Sequence, residues 1–217
     1  YNITPIITIF HWDLPNILQE KYNGMLSHEF VNDFVNYADV LFKNFGDRVK
    51  YWITLNEPLT VIALGFTSGT HAPGIISNND AYIAAHNQLL AHAYTYNLYH
   101  TKYANQNGKI SIALNCDWME PYSSDSKDIN AAERGLLWNM GLFADPIFFG
   151  DYPQQIKDRV SIRLMEFNQT EKNMLKNSID FFSLNHYTGN LVGNNEGQEY
   201  CYTYSCDPRI QYYRIPN

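Results

Sequence analysis

The chain has 217 residues, 45% hydrophobic and 15% aromatic, which is enough for a sizeable core and too apolar for a disordered linker. Lys and Arg number 15 against 22 for Asp and Glu, a net charge of −7, which argues against nucleic acid because phosphates need a basic face. No run approaches the roughly 18 apolar residues of a membrane span, and no signal peptide is visible at an N-terminus that reads as a strand.

In chain order, β-rich runs occupy residues 3–10, 49–55, 109–114 and 179–184. Their apolar residues are nearly continuous rather than alternating, as in parallel strands buried on both faces. Between the first two runs a helix is predicted to start near Ser27 as N-cap and to end at Gly46. Its apolar face carries Phe30, Phe34, Tyr37, Leu41, Phe42 and Phe45. A second helix is predicted over 80–104 and a third over 129–142, ahead of turns at Asp145-Pro146 and Gly150-Asp151-Tyr152-Pro153. A polar fourth covers 170–177. Strand–helix alternation of this kind implies a parallel α/β sheet, and no glycine-rich loop follows any strand to cradle a phosphate. Residues 1–217 read as one piece of a single domain with no internal boundary.

The strand tips decide between an open sheet and a barrel. Each run ends in polar or aromatic groups: His11-Trp12-Asp13, Asn56-Glu57, Asn115 with Trp118, and Asn185-His186-Tyr187. A barrel gathers such tips on one face, where sites are built, so the expected fold is a (β/α)8 TIM barrel of which the chain covers the central portion.

Thr54-Leu55-Asn56-Glu57-Pro58 is the strongest local signal. Pro58 has no N–H and stops the strand, which presents Glu57 at the mouth beside Asn56. A carboxyl group held there can donate a proton to a glycosidic oxygen, provided that desolvation or a second carboxylate raises its pKa. The plainer alternative is a strand-end glutamate that forms a salt bridge. His11 can hydrogen-bond sugar hydroxyls and Trp12 can form an apolar wall, although a core histidine satisfied by backbone fits the same residues. Period-two geometry puts Asn185 and Tyr187 on one side, where a Tyr hydroxyl could hold a carboxylate ionised or simply line the mouth. The seven histidines show no paired metal-ligand spacing, and no Gly-x-Ser-x-Gly elbow marks a serine nucleophile.

Of three cysteines, Cys116 lies in an apolar run and reads as a buried thiol, while Cys201 and Cys206 are near enough in a Tyr-rich loop for a bridge to be open. Sequons at Asn2 and Asn168 are compatible with glycosylation and a secreted location.

Taken in order, these residues resemble glycoside hydrolase family 1, the β-glucosidase family. The resemblance rests on His11-Trp12-Asp13-Leu14-Pro15, Thr54 to Pro58, His71-Ala72-Pro73-Gly74, Phe143-Ala144-Asp145-Pro146, Gly150 to Pro153 and the stretch 179–188, leaving the last 25 or so residues poorly matched. It implies a retaining hydrolase of small β-glycosides in which Glu57 is the proton donor and general base. His11 and Asn56 would bind glycone hydroxyls, Asn56 at the 2-hydroxyl. Asn185 and Tyr187 would line the glycone pocket, Tyr187 next to the nucleophile, and Trp118 would be an aglycone-side wall. No cofactor is implied, since two carboxylates suffice. Plant thioglucosidases of the family replace the acid/base Glu by Gln. Glu57 therefore favours O-glycosides, with a thioglucosidase, a β-galactosidase or a catalytically silent glycan- or protein-binding barrel as alternatives.

The second carboxylate of a retaining pair, about 5 Å from the first, lies in the family in a Glu-Asn-Gly motif near the end of the seventh strand, and no such motif occurs here. Asn195-Glu196-Gly197 follows the sixth-strand match too closely to serve. The matched strands correspond to the third through sixth of the barrel. The expectation is thus a portion of a roughly twofold longer enzyme that does not turn over substrate alone. No feature of the sequence speaks to oligomeric state.

Overall fold

In the computed structural model, residues 3–197 and 203–213 are described. Asn2 and Cys201 lie outside these residues, so the glycosylation expected at Asn2 and the Cys201–Cys206 bridge fall there too. Four strands, β1 (Ile6–Phe10), β2 (Tyr51–Asn56), β3 (Lys109–Asn115) and β5 (Ser183–Asn185), form one parallel sheet in the order β1-β2-β3-β5. Inner strands β2 and β3 are buried almost throughout. The edges are not: Ile6 and Ile7 on β1, and Leu184 on β5 with neighbouring Phe182, are exposed.

Strand β5 is shorter than the apolar run predicts because Asp180 intervenes. Its carboxylate accepts the Ile110 N–H at 2.7 Å, a bond the ladder would otherwise use, and its own N–H donates to the Ile110 carbonyl. The chain therefore runs beside β3 before it pairs as a strand.

Helices α1 (Asn16–Tyr22), α2 (Glu29–Phe45), α3 (Pro58–Ile62) and α4 (Asp80–Lys102) cover the first half of the chain. In α2 the residues Phe30, Val31, Phe34, Ala38 and Phe42 are buried at helical spacing. Tyr37 and Phe45, predicted for that face, are exposed. Tyr37 sits one position off the stripe that Val31 and Ala38 complete, whereas Phe45 keeps the spacing but is the last residue of the helix. The N-cap of α2 is His28 rather than the expected Ser27 and makes no side-chain cap bond, while the Ser27 hydroxyl just before it accepts the Glu29 N–H at 3.2 Å. Gly46 ends it in right-handed rather than left-handed conformation, with φ −67°. A Cβ there would meet the end of the Gln106 side chain, whose amide donates to the Phe42 carbonyl at 2.9 Å, so a larger residue would displace that amide.

The second half adds α5 (Ser126–Leu136), α6 (Leu142–Phe149), α7 (Gln154–Val160) and α8 (Gln169–Leu175). A π-helical turn, Leu137–Gly141, joins α5 to α6. Asp145-Pro146, expected as a turn, lies inside α6. The fixed proline φ suits a helix and removes only one intrahelical donor, so the chain turns at Gly150 instead, with φ 93°. Asn168, the other sequon asparagine, is exposed at the N-cap of α8 in a reciprocal capping box with Glu171.

A second sheet was not foreseen. Strand β4 (Trp118–Pro121) pairs parallel with β6 (Gly189–Asn194), which pairs antiparallel with β7 (Ile210–Tyr213). Met119 and Val192 bury one face of it against Ala132 of α5, with Leu136 and Ile210 packed around them. Among the described residues no helix is long and apolar enough to cross a membrane.

His92 of α4 ties the main sheet together from beneath the site. Its Nε2 lies 2.7 Å from the Ser178 carbonyl, which can only accept, so Nε2 carries the proton and Nδ1 accepts from the Thr54 hydroxyl at 2.8 Å. Burial pushes the His92 pKa down to about 4, against the opposing pull of the Ser178 carbonyl and Asp180. The unfolded histidine, near 6.5, thus takes up its proton before the folded one does. The neutral ring's contribution to stability is complete above pH about 6.5, falls as the pH drops from there to about 4, and amounts to roughly 3 kcal/mol over that window. Urea unfolding of the native chain and of His92→Gln across pH 7 to 4 checks this. The native protein is expected to lose more stability than the variant, and parallel curves would refute the role.

Candidate active site

The tips of β1, β2 and β5 meet around Glu57. Strand β2 ends at Asn56, and the Glu57 N–H still donates to the Ala113 carbonyl of β3 at 2.8 Å, so the sheet holds the residue up to its last bond. Glu57 itself is left-handed, φ 49° and ψ 63°, and Pro58 begins α3 directly after it. For a residue with a Cβ this conformation costs of order 1–3 kcal/mol and recurs where function fixes a geometry. Trp12, at the tip of β1, is likewise left-handed at φ 74°.

Glu57 is a buried residue, 6% exposed, and both its carboxylate oxygens are engaged. Oε1 accepts from Asn185 Nδ2 at 2.7 Å and from the Tyr187 hydroxyl at 2.8 Å, while Oε2 accepts from the Thr60 hydroxyl at 2.9 Å. Asn56 extends the network. Its Oδ1 accepts a second contact from Asn185 Nδ2 at 3.2 Å, and its Nδ2 donates to His11 Nε2 at 3.2 Å. The indole of Trp12 donates to the Asn56 carbonyl at 2.9 Å, and its ring lies 5.7 Å from that of His71. Five of the residues singled out by sequence, His11, Asn56, Glu57, Asn185 and Tyr187, therefore form one hydrogen-bonded set, with Trp12 braced against it.

Two strand-tip residues stand apart. Trp118 is 54% exposed on the second sheet and donates to Glu120 Oε2 at 2.7 Å. Asn115 directs no side-chain bond at Glu57, and its Oδ1 is buried without a hydrogen-bond partner. Cys116 is a buried free thiol. Sequence reasoning missed Thr60, because only the left-handed turn at Glu57 brings the carboxylate within reach of a hydroxyl three residues on.

The charge state of Glu57 runs opposite to the requirement derived from sequence. Burial alone would push its pKa up, but the hydrogen bonds from Asn185, Tyr187 and Thr60, helped by His11, outweigh it and hold the carboxyl below its ordinary value. The same contact raises the Tyr187 phenol, chiefly through its bond to Glu57. Among the described residues no group of three or more His, Cys, Asp and Glu could hold a metal ion.

The sequence profile of glycosyl hydrolase family 1 matches residues 1–212. The chain belongs to that family. The match runs through the stretch after residue 192 in which no family motif had been found. Furcatin hydrolase of Viburnum furcatum, also a curated relative, is 44% identical over 98% of this chain and 41% of its own length. A rice β-glucosidase, solved as a glutamate-to-glutamine variant in covalent complex with glucose, superposes with a TM-score of 0.95 at 40% identity, over 99% of this chain and 48% of that one. An aphid myrosinase superposes with a TM-score of 0.91 at 35% identity, over 100% of this chain and 50% of that one. The chain thus spans about half the length of the family 1 proteins it matches, and its four parallel strands are an incomplete (β/α)8 barrel.

Proposed function

We propose that this chain carries the proton-donor half of a retaining β-glycosidase site, acting on small β-linked glycosides of the β-glucoside type. The observation that carries the reading is a buried carboxylate at the C-terminal mouth of parallel strands, surrounded by groups that bond hydroxyls: His11, Asn56 and Asn185. In this reading Glu57 protonates the departing glycosidic oxygen and then, as carboxylate, takes a proton from the water that frees the sugar. Asn56 and His11 hold glycone hydroxyls, and Trp12 backs them. Trp118 is an aglycone-side wall.

The low pKa of Glu57 fits the same proposal. A general acid working near neutrality needs a raised value, which a second carboxylate about 5 Å away would produce by like-charge repulsion. That second carboxylate would also compete for the Tyr187 hydroxyl, one of the groups that now holds Glu57 ionised. The chain alone therefore lacks both the nucleophile and the field that loads the donor.

Assay of the 217-residue chain on an aryl β-glucoside is expected to give no turnover above background. Turnover that disappears in Glu57→Gln would overturn the dependence on a second carboxylate. The aphid myrosinase match supports a second reading, an S-glycosidase, because a thiolate departs without a proton donor. Comparing alkyl O- and S-glucosides on the completed barrel separates the two.

A further inference from the structure

Glu57 occupies the N-cap position of α3, where a carboxylate ordinarily folds back onto the backbone N–H groups of the first turn. It makes no such bond. The side chain instead reaches the end of β5, where Asn185 and, two residues on, Tyr187 both bind Oε1. With one oxygen held, the carboxyl could still swing about its terminal torsion, which is broad and roughly two-fold. The Thr60 hydroxyl stops that swing by donating to Oε2 from the opposite side at 2.9 Å.

We propose that Thr60 is a positioning residue for Glu57, fixing the plane of its carboxyl group so that Oε1 faces the mouth. The proposal rests on the acid/base reading of Glu57. Two further properties suit Thr60 to the task. Its β-branched side chain is confined to two main χ1 rotamers in a helix, so the hydroxyl has few directions to take. A hydroxyl can also donate to a carboxylate and accept from a carboxylic acid without moving a heavy atom, as a group that alternates between the two requires. The other partners divide unevenly: Tyr187 can reverse in this way and the Asn185 amide nitrogen cannot. His11, from β1, is the remaining titratable group that acts on Glu57.

The test is an NMR titration of the 13C-labelled Glu57 carboxyl in the full chain, comparing Thr60→Val, which keeps the shape and removes the hydroxyl, with Thr60→Ser, which keeps the hydroxyl. Removing a donor to the ionised form moves the midpoint to higher pH, so Val is expected to shift it upward and Ser to leave it near the native value. A native midpoint in Thr60→Val, or equal shifts in both variants, overturns the proposal. A purely structural role, carried by the methyl group, would give the reverse pattern, a shift in Thr60→Ser and none in Thr60→Val. The titration needs no substrate, so a failed acid/base reading would appear elsewhere, as undiminished hydrolysis of an alkyl β-glucoside by Glu57→Gln of the completed barrel.

Discussion

Replacing Glu57 by Gln, in a barrel completed with four further strands, is expected to slow hydrolysis of an alkyl β-glucoside by about a hundred- to ten-thousand-fold. The glutamine keeps the volume and the left-handed turn but has no proton to give and none to take. An alkoxide leaves poorly without protonation, so the bond-breaking step bears the full loss. A nitrophenolate or a thiolate leaves unaided, so glycosylation by such substrates is expected to fall much less, with the release of the sugar becoming the slow step. Steady-state and burst kinetics on the two substrate classes measure the difference. Equal losses for both classes, or none for either, would refute the role of Glu57 as proton donor.

Phe42→Ala is expected to cost about 3–5 kcal/mol of stability. Phe42 is fully buried on α2, and its ring meets Trp52 of β2 at 5.2 Å, Tyr99 of α4 at 4.9 Å and Tyr103 at 5.8 Å, all edge-on. Truncation removes three aromatic contacts together and leaves a hole among side chains too large to collapse into it. Trp52 lies on the strand whose end holds Asn56 and Glu57, so the same hole loosens the floor of the site. Urea unfolding with an unchanged m-value reads the loss. A cost below about 1 kcal/mol would show that the cluster repacks and is not the joint between α2, β2 and α4.

The four main strands and their tips were legible because buried parallel strands write a local signature, a continuous apolar run closed by a polar residue. The second sheet left no such trace. Strand β6 contains Gly189, Asn190, Gly193 and Asn194, which read as loop, and it holds its place through Val192 packing on Ala132 of α5, far away in sequence. Asp145-Pro146 misled for the opposite reason, since a turn-like pair sits within a helix that tolerates it. At the site, sequence could nominate His11, Asn56, Glu57, Asn185 and Tyr187, but not the direction in which the Glu57 pKa moves. That direction depends on Asn185 and Tyr187 converging on one oxygen while Thr60 takes the other, a geometry set by three elements together.

The left-handed backbone at residue 57 has a consequence for how the chain would drift. Glycine or asparagine adopts such a φ at little cost, so the backbone taken alone would favour either at that position. A glutamate there opposes the preference of its own backbone. Libraries sorted only for thermal stability should therefore admit glycine or asparagine at position 57 while keeping Phe42 and Trp52, whereas libraries of the completed barrel sorted for sugar cleavage should retain Glu57. The ranking of one residue under the two sieves would mark where folding and chemistry part company in this chain.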